Sequence, residues 1–224
     1  MMQATIEGWT QGDGSLQDRL TLADWRRRMA VLYSEVRSMA ATDPGVALAH
    51  WRTVREWLFR EHPQSPLPAA ERADFRARHF EHDPALRFIV PVEAAPAADP
   101  GALAMELPNS GADTLSFRRV GTVVLPFPGG GRPLSVFWMT GYAGGLFIPF
   151  RDATNGTETY GAGRYLVDAA KSHDLGAHEA TGDLILDFNF ATQPSCAFDP
   201  RWACPLAPPE NRLDIEIRAG ERLT

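Results

Sequence analysis

Lysine is nearly absent from this sequence: among 22 Lys/Arg residues only Lys171 is a lysine, and Asp and Glu together number 28. The resulting formal charge of −6 argues against a nucleic-acid partner, because such proteins draw affinity from neutralising phosphates. Long apolar runs are lacking too, and nothing approaches the roughly 18 residues a membrane helix needs. The first twenty residues, MMQATIEGWTQGDGSLQDRL, have neither the basic nor the apolar region of a secretory signal. These absences lead to the expectation of a soluble, cytoplasmic protein with no membrane partner. Several catalytic signatures are also missing: Gly-x-Ser-x-Gly, a Walker loop, a Rossmann fingerprint and His-Glu-x-x-His.

What is present is ordinary in amount and uneven in place. The 224 residues are 44% hydrophobic and 22% charged, enough for one domain with a sizeable core. From Asp152 to the end, twelve acids face six Lys/Arg, whereas residues 19–61 hold eight arginines against five acids. The deficit therefore sits in the last third.

Residues 1–20 are polar and predict a mobile tail, followed by a single domain over 21–224. Thr21 with Asp24 resembles a capping box, and Trp25, Met29, Leu32, Val36 and Met39 follow at helical spacing. Asp43-Pro44 reads as an N-cap with proline at the first helical position. Ala47, Trp51, Val54 and Leu58 form the next stripe, ended by His62-Pro63. A third, weaker helix is predicted over Ala69–His79. After Asp83-Pro84 the pattern turns to strands: Arg87–Val92, Leu115–Leu125, Leu134–Thr140, Leu146–Arg151, Glu158–Val167, Leu184–Ala191 and Arg212–Arg218. In the last of these, Leu213, Ile215 and Ile217 alternate with Asp214, Glu216 and Arg218. Short, turn-rich connections favour antiparallel pairing. The expected fold is α+β, a helical layer (21–80) packed on a mainly antiparallel, barrel-like or sandwich sheet (86–224).

The second half has a distinctive wording. It runs Phe150-x-Asp152-x-Thr154-Asn155-Gly156-x-Glu158-Thr159-Tyr160-Gly161-x-Gly163-Arg164-Tyr165-Leu166, then Leu186-Asp187-Phe188-Asn189. Pro194-x-Cys196-Ala197-Phe198, Cys204-Pro205-Leu206, Pro208-Pro209-Glu210-Asn211 and Ala219-Gly220-Glu221 complete it. This string resembles the prokaryotic family catalogued as domain of unknown function 1684. With Trp51-Arg52-x3-Arg55-Glu56 and Pro63-x-Ser65-Pro66-Leu67, the resemblance runs from about Trp51 to Glu221. It implies a shared fold and site region, and it supplies no activity.

Chemistry enters through strand alternation. A regular strand over Glu158–Leu166 would put Glu158, Tyr160 and Arg164 on one face. In Leu184–Ala191, Asp187 and Asn189 would lie opposite an apolar face. Facing one cavity, these five residues would form a small-molecule site. Arg164 would clamp an anionic group bidentately, and Glu158 or Asp187, raised by burial, would act as general base in hydrolase- or transferase-type chemistry. Tyr160 and Asn189 would hydrogen-bond the ligand, with Asp152, Cys196 and Glu210 at the edge. The competing reading is a non-catalytic interaction or scaffold domain in which the same charges are internal wiring.

The two cysteines, Cys196 and Cys204, lie in a proline-rich loop and read as two reduced, partly buried thiols, with a disulfide or a metal site as alternatives. His79, His82, His173 and His178 read as solvated. Gly129-Gly130-Gly131 reads as a hairpin loop, and Arg26-Arg27-Arg28 as a solvated face. No metal ligand set is assigned and no cofactor is implied, though pattern alone leaves a flavin or metal in a barrel mouth open. A homo-oligomer is compatible with everything above.

Overall fold

The computed structural model describes residues 14–96, 105–106, 115–140 and 144–223. Two helices open the chain, α1 (Leu16–Ala40) and α2 (Pro44–Glu61). The α1 stripe is the predicted one, with Met29, Leu32, Tyr33 and Val36 buried, but its start is not. The capping pair is Ser15 and Asp18: the Ser15 hydroxyl accepts from the Asp18 amide at 3.1 Å and donates to its carboxylate at 2.8 Å. Two Ser/Thr-x-x-Asp signals lie one turn and a half apart, and the earlier one wins because Leu16–Leu20 can extend the helix. Residues 16–20 are thus helical, and residues 1–13 lie outside the described residues. The start of α2 follows expectation. Asp43 accepts from the amides of Gly45 (2.9 Å) and Val46 (3.1 Å), ahead of Pro44.

The third helix does not form. Only a 3-10 turn, Ala69–Glu71, follows Pro68. Beyond it the chain runs out to bridge His79 to Glu221 and to donate Phe80 N–H to Gly220 at 3.0 Å. Phe75 is the only large apolar residue between Ala69 and Arg78, so a helix here would have had no stripe to bury.

Among the described residues eight strands follow: β1 (Arg87–Val90), β2 (Glu93–Ala94), β3 (Met105–Glu106), β4 (Ser116–Phe127), β5 (Gly130–Met139), β6 (Gly145–Phe150), β7 (Arg164–Asp168) and β8 (Leu184–Asp187). All pairings between these strands are antiparallel. The large sheet runs β2-β4-β5-β6-β7 with β3 also on β4, and β1 pairs with β8 in a separate sheet. Gly129, at φ +88°, turns the β4–β5 hairpin as expected. The α+β class stands, but the sheet does not close among the described residues, so it is not a barrel. One core joins the two sheets, with Val90, Leu186 and Phe188 packed on Val123, Leu134, Val136, Ile148 and Phe150. A second core lies under the helices, where Trp51, Tyr33 and Leu58 meet Phe190 and Leu175.

Arg87–Val92 ends two residues early, at Val90, and three other predicted strands depart further. The Glu158–Val167 segment becomes strand only from Arg164, where β7 begins, because Asp152–Tyr160 closes into a tight turn around the Thr154 carbonyl, which accepts from the amides of Thr157, Glu158 and Thr159. The Leu184–Ala191 strand stops at Asp187, whose carboxylate caps a 3-10 turn, Phe188–Phe190. Arg212–Arg218 is not a strand, although Leu213 and Ile217 are buried and Asp214, Glu216 and Arg218 exposed, in the predicted alternation. Its segment runs beside the end of β6, donating Leu213 N–H to Arg151 at 2.8 Å and accepting from Ala153 at Ile215 (2.9 Å).

Candidate functional site

The residues that alternation gathered onto one face are dispersed. Arg164 is fully buried at the start of β7 and spends its guanidinium on the C-terminal segment. It donates to the carbonyls of Ala219, Ile217 (2.7 Å) and Glu221 (3.3 Å). Its closest carboxylate is Asp152 at 3.4 Å, and its plane stacks on Phe150 with 5.0 Å to the ring centroid. Asp152 completes the arrangement by accepting from Ile217 N–H (2.7 Å) and the Thr154 hydroxyl (2.8 Å). Burial pulls the Arg164 pKa down, and Asp152 beside it opposes the shift. Gly163 permits this entry into β7, because at φ +106° its Cβ would stand 2.5 Å from the Phe150 carbonyl.

Asp187 and Asn189 make a second knot. Asp187 accepts from the amide (2.9 Å) and side chain (2.8 Å) of Asn189 and lies 3.4 Å from Arg87. Asn189 exchanges two hydrogen bonds with the Asp83 backbone, at 2.9 and 2.8 Å. Burial raises the Asp187 pKa, against the pull of Asn189 and Arg87. Glu158 is half-buried and pairs with the exposed Arg218 at 3.0 Å. Glu210 is exposed on a 3-10 turn.

Tyr160 and Cys196 belong to a third place, packed with Trp202 and Cys204. Both cysteines are buried, and Cys204 sulfur accepts from the Cys196 amide at 3.3 Å. Tyr160 is pushed up to about 12 by burial and by its hydrogen bond to Cys196. The Cys204 thiol is raised through its hydrogen bond to Cys196 and by burial, which keeps it protonated and unreactive. No group of three or more His, Cys, Asp or Glu among the described residues is arranged to hold a metal.

The seam between helices and sheet holds a different constellation. A partly enclosed cavity of about 60 Å³ opens there. Helices α1 and α2 contribute Trp25, Met29, Tyr33, Arg55 and Phe59; Tyr165, Asp168, Lys171 and His173 come from β7 and the turn after it. Gln64 and the proline-rich loop, with Thr192, Gln193, Ser195, Phe198 and Trp202, close it. The lone lysine is here, 3.1 Å from Asp168 and over the Tyr165 ring.

His173, expected to be solvated, is instead buried and stacked on Tyr33 with centroids 5.2 Å apart. Burial pushes it down to about 3, helped by Arg55 and Lys171 and only partly offset by the Phe190 backbone, so its ring is neutral. His79 departs from the same expectation, being pushed to about 4 by burial against Trp51. Arg55 is buried as well. Burial alone would lower its pKa, and the bidentate pair with Glu221 more than compensates. Glu221 also accepts from Gln193 N–H at 2.7 Å, which ties α2 to the C-terminal segment.

Of these two residues, Arg55 was legible in part and His173 was not. Arg55 falls one turn after Trp51 on the buried face of α2, and a cation on an apolar stripe is a flag for a buried pair. His173 carried no such signal, since its burial depends on α1 packing across it.

With this geometry in place, comparison with known proteins becomes informative. The family model described as a protein of unknown function (DUF1684) matches residues 75–222. The chain belongs to this family. A solved structure, the solution NMR structure of an uncharacterized protein of Haloarcula marismortui, is similar at 32% identity and TM-score 0.58 over 83% of this chain and 97% of that one. No curated protein matches. No function is assigned to the family by that neighbour. The matched span begins after α2, so the family portion supplies the sheet-side wall of the cavity and the two helices supply the other.

Proposed function

We propose that this DUF1684 protein binds a small molecule in the cavity at the seam. The observation that carries the reading is a pair of unmatched polar atoms in cavity-lining residues. His173 Nε2 and Gln64 Oε1 have no hydrogen-bond partner, yet their residues are only 3% and 7% exposed. A buried polar atom left unmatched costs about 1–3 kcal/mol, which an incoming donor or acceptor would recover. Aromatic walls with a few convergent polar groups suit a compact ligand, and the volume suits one small molecule or the head of a larger one.

Binding is favoured over acid–base chemistry. Burial holds His173 neutral and raises Tyr33 and Tyr165 above the usual tyrosine range, and Lys171 is paired with Asp168. Neither this imidazole nor these two phenols are poised to exchange a proton near neutrality. In this reading Asp152, Arg164, Asp187 and Asn189 act as wiring, and Glu158 and Asp187 have no proton-transfer role. No helix is long and apolar enough to cross a membrane among the described residues. A cytoplasmic setting also suits the two thiols.

The test is a thermal-shift screen of neutral and anionic metabolites of about ten non-hydrogen atoms or fewer. A ligand at a hundred times its Kd adds about 2.7 kcal/mol, a rise of roughly 5–10 °C for a chain of this size. The same ligand should lose most of its effect on Gln64→Met. If no compound raises the Tm, or Gln64→Met responds like the parent, the cavity is not a binding site.

A further inference from the structure

The outer face of the helical pair is apolar where solvent should favour polar groups. An open groove of about 240 Å³ runs between α1 and α2. Val31 and Trp57 line it and are 56% and 46% exposed. Leu20, 53% exposed, lies three turns before Val31 on the same side of α1. Large apolar side chains left exposed along a groove mark an interaction surface.

The charges around it say what kind of partner fits. Along α1 the groove is lined by Arg27, Arg28, Val31, Leu32 and Glu35, and within that row Arg28 and Glu35, a cation and an anion, stand at equal distances from the Val31–Leu32 midpoint. We propose that this face binds a second copy of the chain, with the two α1 helices antiparallel about a two-fold axis beside Val31. In that arrangement Arg28 of each protomer faces Glu35 of the partner subunit, and the two Val31 side chains meet. A two-fold interface must be self-complementary, and this pattern is. A face of one charge sign would instead select a partner of the opposite sign.

Within one chain Arg28 and Glu35 are about 10 Å apart along the helix axis, at 1.5 Å per residue, too far to pair with each other. Their present partners are surface ones. Arg28 contacts Asp24 at 2.7 Å and lies over the Trp57 ring, and Glu35 contacts His50 at 2.8 Å. Exposed pairs of this kind contribute little, so the interface would not displace a strong interaction. The proposal is independent of the cavity.

Sedimentation velocity of the full chain, from low-micromolar to submillimolar concentration, tests it. A dimer is expected. Val31→Asp should convert it to monomer, and Arg28→Glu or Glu35→Arg should each weaken it about tenfold or more, or about 1.4 kcal/mol. The double variant Arg28→Glu/Glu35→Arg should recover most of the loss. These positions are exposed, so thermal melts should show each variant folded. A monomer at every concentration overturns the proposal. So does a dimer that tolerates Val31→Asp, or a charge reversal that the double variant fails to rescue.

Discussion

Acidification from pH 7 to pH 5 isolates the energetic consequence of burying His173. In the unfolded chain its imidazole titrates near its ordinary value of 6.5, whereas in the native protein it is pushed down to about 3. The native pKa is therefore depressed. Between these two values the unfolded state binds a proton that the native state does not, so stability falls as the pH falls. Integrating the linkage relation gives a loss of about 2 kcal/mol between pH 7 and pH 5 from this residue. His79, pushed to about 4, acts in the same direction. Asp187 acts oppositely, because its raised native pKa lets the folded state take its proton first. The clean measurement is therefore a difference. Urea unfolding of the parent and of His173→Asn at both pH values should show the variant's penalty shrinking by about 2 kcal/mol on acidification. A penalty that is the same at pH 7 and pH 5 would refute the burial of a neutral imidazole.

Two further substitutions test the wiring. Arg164→Met removes the cation that holds three C-terminal carbonyls and leaves Asp152 buried and unpaired. A loss of about 3–5 kcal/mol in urea unfolding is expected, and a change under 1 kcal/mol would contradict it. Asn211 was quoted only as part of a motif, yet its side chain accepts from Ser135 N–H (2.8 Å) and donates to Ser135 (3.0 Å) and Pro149 (2.7 Å) carbonyls. Asn211→Ala should cost about 1–3 kcal/mol and expose the Ser135 amide to faster hydrogen exchange; unchanged exchange would count against this role.

How far the sequence could be read follows from the range of the forces involved. The α2 cap, the stripes of α1 and α2 and the β4–β5 hairpin are local, set by spacing and turn chemistry, and all were legible. The strand over Glu158–Val167 failed for a local reason that spacing does not show. The Thr154 carbonyl and the Asp152 carboxylate gather the chain into a turn, which leaves Tyr160 beside Cys196 and Glu158 beside Arg218. With that strand went the single polar face on which the first site was built. The family-like motif residues remained informative in another way: Asp152, Arg164, Asn189 and Asn211 are all buried and hydrogen-bonded to backbone.

The sequence by itself determined an acidic α+β chain with two apolar helical stripes, the cap of the second helix, mostly antiparallel strands and almost no lysine. That much rests on periodicity, capping and composition, which act over a few residues. Only the tertiary structure decided that Lys171 and His173 face Tyr33, Arg55 and Gln64 across a cavity, more than a hundred residues away along the chain. It also left Val31 and Trp57 uncovered. Burial is a property of what packs on a residue, and at the seam that packing comes from the distant end of the chain.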